Sequence, residues 1–210
     1  MKVASLKAVV ASISKTITGN RDYLVQLDQQ NGDGDLGISM SDGFKAIDGY
    51  LQTAEETDLG KLFFQMSKIF NEKAPSSLGT ILSFGLMGMA RALKGKETAG
   101  LAEVVSAFRQ GIDLIMEKAG SKPGEKTILD ALCPALEALQ AHAATGNKKE
   151  AFAMAATAAA KGSESTRQML PKHGRAVYYG EKSLGVLDGG SVVGRLIFEA
   201  ISEYCNTRNE

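Results

Sequence analysis

Apolar residues recur at helical intervals along nearly the whole chain, and this periodicity limits the fold more than any other feature. Near the amino terminus, Val3, Leu6, Val10 and Ile13 share one face of a helix, and similar stripes follow in later segments. No run of alternating β-branched residues is long enough to indicate a sheet. The pattern predicts an all-α protein of about eight antiparallel helices, packed as an up-and-down closed bundle or helical barrel.

The loops between these stripes give approximate helix positions. Helices are predicted over residues 1–17, 39–54, 59–70, 78–93, 101–119, 126–144, 149–169 and 192–205. Residues 21–27 are assigned only as a short segment that leads into a Gly/Asp loop. The best linker candidate, Pro123-Gly124, is closely flanked by helical patterns, so residues 1–210 are expected to form a single domain.

Charge and composition exclude several classes of protein. Basic and acidic residues balance at 24 each, which argues against a nucleic-acid binder that works through a basic surface. No apolar run reaches the roughly 20 residues of a membrane helix, so no membrane segment is expected. Cys133 and Cys205 lie far apart in apolar stretches, and we expect reduced, buried thiols in a cytoplasmic protein.

The acidic loop between residues 28 and 35 carries the strongest functional signal. Asp28, Asp33 and Asp35 lie within eight residues, and the glycines among them let the backbone bend and approach a ligand. An extended backbone would point Asp33 and Asp35 the same way. Clustered carboxylates repel each other unless a cation joins them, and such hard oxygen ligands suit Mg²⁺ or Ca²⁺. The spacing predicts a magnesium-type site.

Two other interpretations of this loop stay open at the level of sequence. One is a solvated Asp/Gly turn whose side chains cap the next helix. The other is a calcium loop, whose positions 1, 3, 5, 9 and 12 would be Asn31, Asp33, Asp35, Ser39 and Asp42. The glycine that such a loop needs at position 6 is replaced by Leu36, and position 12 lacks the usual glutamate.

Two further loops open helices. The segment 74–80 offers small residues at a helix start, which fits either an anion site or an ordinary serine cap. The glycine-rich stretch 174–191 is long and irregular, as functional or mobile loops are. Arg175 within it suits pairing with a phosphate or with an anchoring carboxylate. His142 and His173 have no Cys or Asp partner at a useful spacing, so both are expected on the surface.

Three motifs, taken together, resemble the nucleotide-binding L subunit of dihydroxyacetone kinases. The first is Leu27-Asp28-x-x-x-Gly32-Asp33-x-Asp35-x-Gly37. The second is Lys122-Pro123-Gly124-Glu125-Lys126-Thr127-Ile128-Leu129-Asp130. The third is Gly174-Arg175-Ala176-x-Tyr178-Tyr179-Gly180-Glu181-Lys182-Ser183-x-Gly185, followed by Asp188. Any one motif is a weak signal, but all three occur in the family's order and with similar spacing across nearly the whole chain.

The resemblance implies a barrel of eight antiparallel helices with the nucleotide in the loops at one end. It implies that Asp28, Asp33 and Asp35 hold two Mg²⁺ ions that bridge the phosphates of ADP or ATP. It implies that Arg175 is the catalytic residue. The other nucleotide-binding residues that it implies are Leu36, Gly37, Ile38, Ser39, Ser77, Leu78 and Gly79 along the phosphates, Ala119, Gly120 and Ile128 beside the adenine, and Asp188, Gly189 and Gly190 at the closing turn.

The same resemblance implies a kinase subunit that works with other chains. In the family, a histidine of a separate K subunit holds the ketose covalently, and we find no residue in this chain suited to holding a sugar. The phosphate donor is left open between free ATP and a phosphohistidine phosphotransferase, the M subunit, that recharges tightly held ADP. A homodimer is also left open.

Several positions depart from the family pattern. The family usually has His after the third Asp and Asn three residues further on, where this chain has Leu36 and Ser39. Its Gly-rich phosphate loop is replaced by Ser-Ser-Leu-Gly at residues 76–79, and its closing Asp-Pro-Gly becomes Asp-Gly-Gly at 188–190. We interpret the chain as a divergent paralogue that still binds Mg-nucleotide. The alternative is a non-catalytic, nucleotide-sensing or regulatory partner that retains the metal site.

Overall fold

Eight long helices form a closed ring in the computed structural model, which describes residues 1–144 and 146–207. The ring helices are α1 (Val3–Gly19), α3 (Leu36–Thr53), α4 (Leu59–Lys73), α5 (Ser77–Ala92), α6 (Leu101–Ala119), α7 (Leu129–Ala143), α8 (Lys148–Ser165) and α9 (Gly189–Thr207). A short helix, α2 (Arg21–Asp28), packs on α3, and 3₁₀ turns cover Thr166–Gln168 and Arg175–Ser183. No strand occurs in the ranges described.

Packing follows chain order around the ring. Each ring helix contacts the next one along the chain, and α1 also packs on α9, which closes the ring. Because the connections are short, consecutive helices run antiparallel, and α3, α5, α7 and α9 therefore begin at the same end. The predicted all-α fold of about eight antiparallel helices in a closed bundle or barrel is confirmed.

Glycines allow two of the helix pairs to approach closely. A Cβ on Gly88 of α5 would lie 2.3 Å from the carbonyl oxygen of Gln110 in α6. A Cβ on Gly162 of α8 would lie 2.0 Å from the carbonyl oxygen of Asp130 in α7. Both distances are far inside van der Waals contact, so a residue larger than glycine would push these helices apart.

The inside of the ring is apolar. Phe44 and Phe70 meet edge to face with ring centroids 4.9 Å apart, and Phe70 and Phe198 are fully buried. A cavity of about 250 Å³ runs among side chains such as Val10 and Phe108. In the part of the chain that the structure describes, no helix has both the length and the apolar character needed to cross a membrane.

The structure departs from the sequence-based helix positions at several places. Helix α4 ends at Lys73, α7 begins at Leu129 and α9 begins at Gly189, each three residues from the predicted bound. Residues 21–28 form helix α2, which is too short to show a periodic apolar stripe. Helix α3 begins at Leu36, three residues before the predicted start, and α8 ends at Ser165 ahead of a 3₁₀ turn. At Gly37, in the first turn of α3, a Cβ would lie 2.1 Å from the carbonyl oxygen of Arg21. Its missing side chain lets α2 lie directly against the first turn of α3.

Candidate functional site

The amino-terminal ends of α3, α5, α7 and α9 meet at a polar cavity of about 680 Å³. Leu36, Ser77, Ile128 and Gly189 line it, each from the start of one of these helices. The first N–H groups of a helix have no partner within the helix, and each helix start carries roughly half a positive charge. Four such ends around one cavity favour an anion.

The acidic loop borders the same cavity. Ligand oxygens of Asp28, Asp33 and Asp35 all lie within 4.8 Å of one another. The loop wraps around the half-buried Asp28, whose Oδ2 accepts a hydrogen bond from the Gly34 N–H at 2.8 Å. A Cβ on Gly32 would lie 2.3 Å from Asp28 Oδ1, so this wrapping requires glycine there. The three carboxylates form one cluster at the mouth of the cavity.

A turn, not an extended segment, brings these carboxylates together. Gly34 has a φ of +81°, in the left-handed region, and Asp35 has helical angles of −92° and −12°. The expectation that an extended backbone points Asp33 and Asp35 the same way is therefore wrong. The reversal at Gly34 permits the clustering instead, because glycine adopts this conformation at little cost.

The structure bears on both other interpretations of this loop. Asp35 precedes α3 but makes no side-chain hydrogen bond to cap it, so the simple capping turn does not occur. The calcium loop does not form either, because Leu36 onward is helical. Ser39, which would be a ligand of that loop, is buried, and its Oγ lies 3.0 Å from Ser76 Oγ.

Electrostatics in the cluster favour a bound cation. Burial raises the pKa of Asp35 above its usual value of 3.8, and the negative charges of Asp33 and Asp28 raise it further. Arg175 opposes this shift, and its Nη2 lies 2.8 Å from Asp33 Oδ2. Three carboxylates with one arginine leave net negative charge at the mouth. Hard oxygen donors with that charge fit Mg²⁺.

This charge arrangement predicts a pH-dependent stabilisation by Mg²⁺. Because the folded-state pKa of Asp35 is raised, its contribution to stability is present at low pH and is lost as pH rises through that pKa. A divalent ion offsets the repulsion that appears above it. We expect MgCl₂ at about 100 times its Kd to raise the Tm by about 5–10 °C at pH 7.5, with a smaller gain at pH 5.

Thermal melts at the two pH values measure this effect. Asp35→Asn should lose most of the gain, whereas Asp42→Asn, an exposed residue of α3 outside the cluster, should keep it. An equal rise in Tm with Mg²⁺ at both pH values, or an unchanged rise in Asp35→Asn, would contradict the link between Mg²⁺ binding and the charge on Asp35.

The loop between α6 and α7 faces the cluster across the cavity. The buried Asp130 accepts hydrogen bonds from the Gly124 N–H at 2.5 Å and the Thr127 N–H at 2.7 Å, which fixes the loop. Glu125 lies 2.7 Å from His173 Nε2, and this contact lowers the pKa of Glu125 to about 2. His173 is partly exposed, as expected for a surface residue, but it pairs with Glu125, which lies 48 positions away in sequence and was not recognised as a partner.

The closing turn begins α9. Asp188 Oδ2 accepts a hydrogen bond from the Ser191 N–H at 2.6 Å, as the side chain of a helix-capping residue does. Its own N–H donates to Thr166 Oγ1 at 3.0 Å. Burial raises the pKa of Asp188 to about 7. The turn is thus fixed against α8 on one side and the start of α9 on the other.

Most of the residues implied by the resemblance meet at this cavity. Those that line it are Asp28, Asp33, Asp35, Leu36, Ser77, Leu78, Ile128, Arg175, Asp188, Gly189 and Gly190. Those that do not line it are Gly37, Ile38, Ser39, Gly79, Ala119 and Gly120. Gly79 packs against the preceding loop, where a Cβ would lie 1.9 Å from the Ala74 carbonyl oxygen. Gly120 ends α6 with a φ of +62°.

Sequence reasoning missed several residues of the cavity wall. Ser121, Lys126, Thr127 and His173 all line it, as does Ser76 of the loop 74–80, which the sequence had indicated as a possible anion site. The second motif contains two of them, but without the fold nothing indicated that it faces the third motif. Ser76 also caps α5 by accepting from the Gly79 N–H at 3.1 Å, which matches the ordinary serine cap considered for that loop.

The chain is thus a closed ring of antiparallel helices, with carboxylates and an arginine at one end over helix amino termini. The charges at that end suit a cation and an anion together. The family model described as the DAK2 domain matches residues 30–203. The chain belongs to this family.

Similar proteins include members of differing length. The ADP-binding subunit DhaL of PEP-dependent dihydroxyacetone kinase 2 from Listeria innocua is 28% identical over 93% of this chain and 91% of its own length. The L-erythrulose kinase of Pectobacterium atrosepticum is 30% identical over 97% of this chain, which spans only 36% of that protein. The dihydroxyacetone kinase of C. freundii, solved with AMP-PNP and Mg²⁺, superposes with a TM-score of 0.76 at 25% identity, covering 95% of this chain and 34% of that one.

Proposed function

We propose that this chain is the nucleotide-binding subunit of a kinase that phosphorylates a small ketose such as dihydroxyacetone. The observation that carries the proposal is the carboxylate cluster beside Arg175, at the mouth of a cavity ringed by four helix amino termini. The names of the relatives, an ADP-binding subunit and ketose kinases, support it. We take residues 1–210 as one domain in the cytoplasm, consistent with its closed ring and its free cysteines.

Phosphoryl transfer needs positioning and charge neutralisation more than covalent chemistry. Different residues of the site would supply these two functions. Asp28, Asp33 and Asp35 would hold two Mg²⁺ ions, which supply charge neutralisation for the phosphate chain of ATP or ADP. The starts of α5 and α9 offer N–H groups and helix dipoles to the phosphates. Arg175 offers a forked cation that neutralises charge on the group in transit.

The ketose is proposed to come from a second chain. Phosphoryl transfer forms a bond from the terminal phosphorus to a ketose hydroxyl oxygen, breaks the bond to ADP and releases the hydroxyl proton. A K subunit that holds the ketose covalently through a histidine would present it to the exposed mouth. Free ATP, or a phosphohistidine protein of the M type that recharges bound ADP, would be the donor.

Native mass spectrometry with Mg²⁺ in all buffers tests the binding half of this proposal. A mass excess equal to ADP plus two Mg²⁺, lost on chelation, is the expected result for a resident cofactor. Titrated Mg-ATP should bind to any unliganded fraction. If neither nucleotide binds, the proposal is wrong. Binding, followed by phosphorylation of dihydroxyacetone when a K subunit is added, would establish the kinase function.

One observation favours a second candidate, a nucleotide-sensing or regulatory partner without turnover. Leu36 stands where the family usually has histidine, and it is 7% exposed on the cavity wall. A Cβ on Gly189 would lie 2.5 Å from Leu36 Cδ2, so two of the family departures pack against each other. The pair places apolar surface on the phosphate side. Binding of Mg-nucleotide without turnover beside a K subunit would support this candidate.

Leu36→His probes the same departure. We expect it to raise ketose phosphorylation by up to about tenfold, because a ring nitrogen restores a polar group facing the phosphates at similar volume. Leu36→Met, which keeps the apolar character, should retain the parent rate. Steady-state turnover with a K subunit measures both variants. An unchanged rate in Leu36→His would mean that the site works without a polar group at this position.

A further inference from the structure

Lys126 lies on the cavity wall, yet its ammonium has no donor left for a ligand. Nζ donates to the carbonyl oxygens of Ser183 at 2.8 Å, Val186 at 2.9 Å and Met169 at 3.2 Å. A lysine ammonium has three N–H donors, and the three carbonyls accept all of them. The residue is 4% exposed. Lys126 is therefore not placed to bind phosphate, although it lines a cavity suited to anions.

The backbone of Lys126 is also unusual. Its φ is +60°, and it is the one non-glycine residue with a positive φ in the ranges described. A side chain disfavours this left-handed conformation, which persists only where surrounding contacts impose it. The buried Asp130 imposes it here by holding the N–H groups on either side, those of Gly124 and Thr127.

The carbonyls that Lys126 binds lie on both stems of one irregular segment, residues 169–187, which we call the arch. Met169 begins the arch, and Ser183 and Val186 lie near its end. Arg175 lies between the two stems. A single ammonium group therefore holds together the two sides of the segment that carries Arg175.

The arch has little else to order it. Its 3₁₀ turns are interrupted at Gly180, and Tyr178 at its outer side is 90% exposed. Ser183 is the one buried residue of the turn Arg175–Ser183. Apolar burial therefore contributes little within this turn, and the buried apolar residues of the arch, Pro171 and Leu187, lie on its stems. The turn that carries Arg175 depends on polar anchors. Besides Lys126, these include the contacts of His173 and Lys172 with Glu125 and the hydrogen bond from Arg167 Nη1 to the Gly185 carbonyl oxygen at 2.5 Å.

We propose that Lys126 is a positioning residue, which ties the two stems of the arch together and so holds Arg175 against Asp33. The contact that the tied stems would hold in place is the Arg175–Asp33 pair, with Arg175 Nη2 at 2.8 Å from Asp33 Oδ2. Its consequence for phosphoryl transfer rests on the proposed function, whereas its consequence for the order of the arch does not.

Hydrogen exchange tests the order of the arch without any nucleotide. Lys126→Met keeps the length of the side chain and removes all three donors. We expect peptides from residues 169–187 to exchange at least tenfold faster, with the ring helices unchanged. Lys182→Met, at an exposed lysine of the same arch, is the matched control and should exchange as the parent does. Parent-like exchange in Lys126→Met would overturn the proposal.

Steady-state kinetics in the presence of a K subunit test whether Lys126 acts on phosphoryl transfer through Arg175. Lys126→Met should lower kcat at least tenfold with little change in KM for the nucleotide. In an Arg175→Ala background, the same substitution should cost no further kcat, because the residue that it positions is gone. An equal loss of kcat in both backgrounds would indicate a general structural role and would overturn the proposal.

Two precautions keep the outcomes separate. Lys126→Gln, which retains two donors on a shorter side chain, replaces Lys126→Met in the same measurements if the latter does not fold, and an intermediate effect is expected. A parent protein that binds no Mg-nucleotide would defeat the proposed function, while hydrogen exchange would still decide whether Lys126 orders the arch.

Discussion

Asp33→Ala is expected to abolish measurable binding of Mg-ADP while leaving the fold intact. Asp33 combines two roles in the structure, since its carboxylate belongs to the cluster and its Oδ2 lies 2.8 Å from Arg175. The substitution would therefore remove a proposed metal ligand and release the arginine at once. We expect the Kd for Mg-ADP to rise by about 100-fold or more.

The fold should tolerate this change. Asp33 is exposed, and substitutions at exposed positions usually alter stability by about 0.5 kcal/mol or less. Its removal also lessens the repulsion that raises the pKa of Asp35. Without Mg²⁺, the Tm of Asp33→Ala should equal or slightly exceed that of the parent.

Calorimetric titration of Mg-ADP, with thermal melts on the same samples, measures both effects. Asp42→Asn is the charge-matched control and should bind as the parent does, because it lies on α3 outside the cluster. Asp33→Asn, which keeps one ligand oxygen, should fall between the two. If Asp33→Ala bound Mg-ADP within about threefold of the parent, the metal-site assignment would be wrong.

The features of this fold that can be predicted from the sequence are those that depend on local interactions. The ring helices were predictable because an apolar stripe is a local pattern that shows over 15 or more residues. Helix α2, with eight residues, is too short to show one. The clustering of Asp28, Asp33 and Asp35 was also predictable, although the turn at Gly34 that produces it was not.

The contacts that remained hidden are those that the closed ring creates. Lys126 and Ser183 lie 57 positions apart, and no local pattern links them. The same holds for Glu125 and His173, whose pairing gives a role to a histidine expected on the surface. The common end of α3, α5, α7 and α9 follows from antiparallel topology alone. The anion-binding side of the site was therefore accessible in principle from the helix count.

Arg175→Ala is expected to reduce the rate of phosphoryl transfer far more than the binding of nucleotide. Arg175 is 67% exposed at the cavity mouth and pairs with Asp33, so it adds little to the stability of the fold. In the proposed function, its forked guanidinium would neutralise charge that develops on the transferring phosphoryl group. Removal of one such preorganised donor costs about 10²–10³ in kcat, or about 3–4 kcal/mol.

A set of variants distinguishes the forked geometry of Arg175 from the effect of its positive charge alone. Arg175→Lys keeps the positive charge but loses the fork, so its kcat should lie between those of the parent and Arg175→Ala. Arg91→Ala, which removes an exposed arginine at the far end of α5, should leave kcat unchanged. Steady-state kinetics with a K subunit and saturating Mg-ATP measures the three variants. A kcat for Arg175→Ala within about threefold of the parent would show that Arg175 anchors the arch to Asp33 without contributing to transfer. The charge on the phosphoryl group would then have to be neutralised by the metal cluster and the helix amino termini alone.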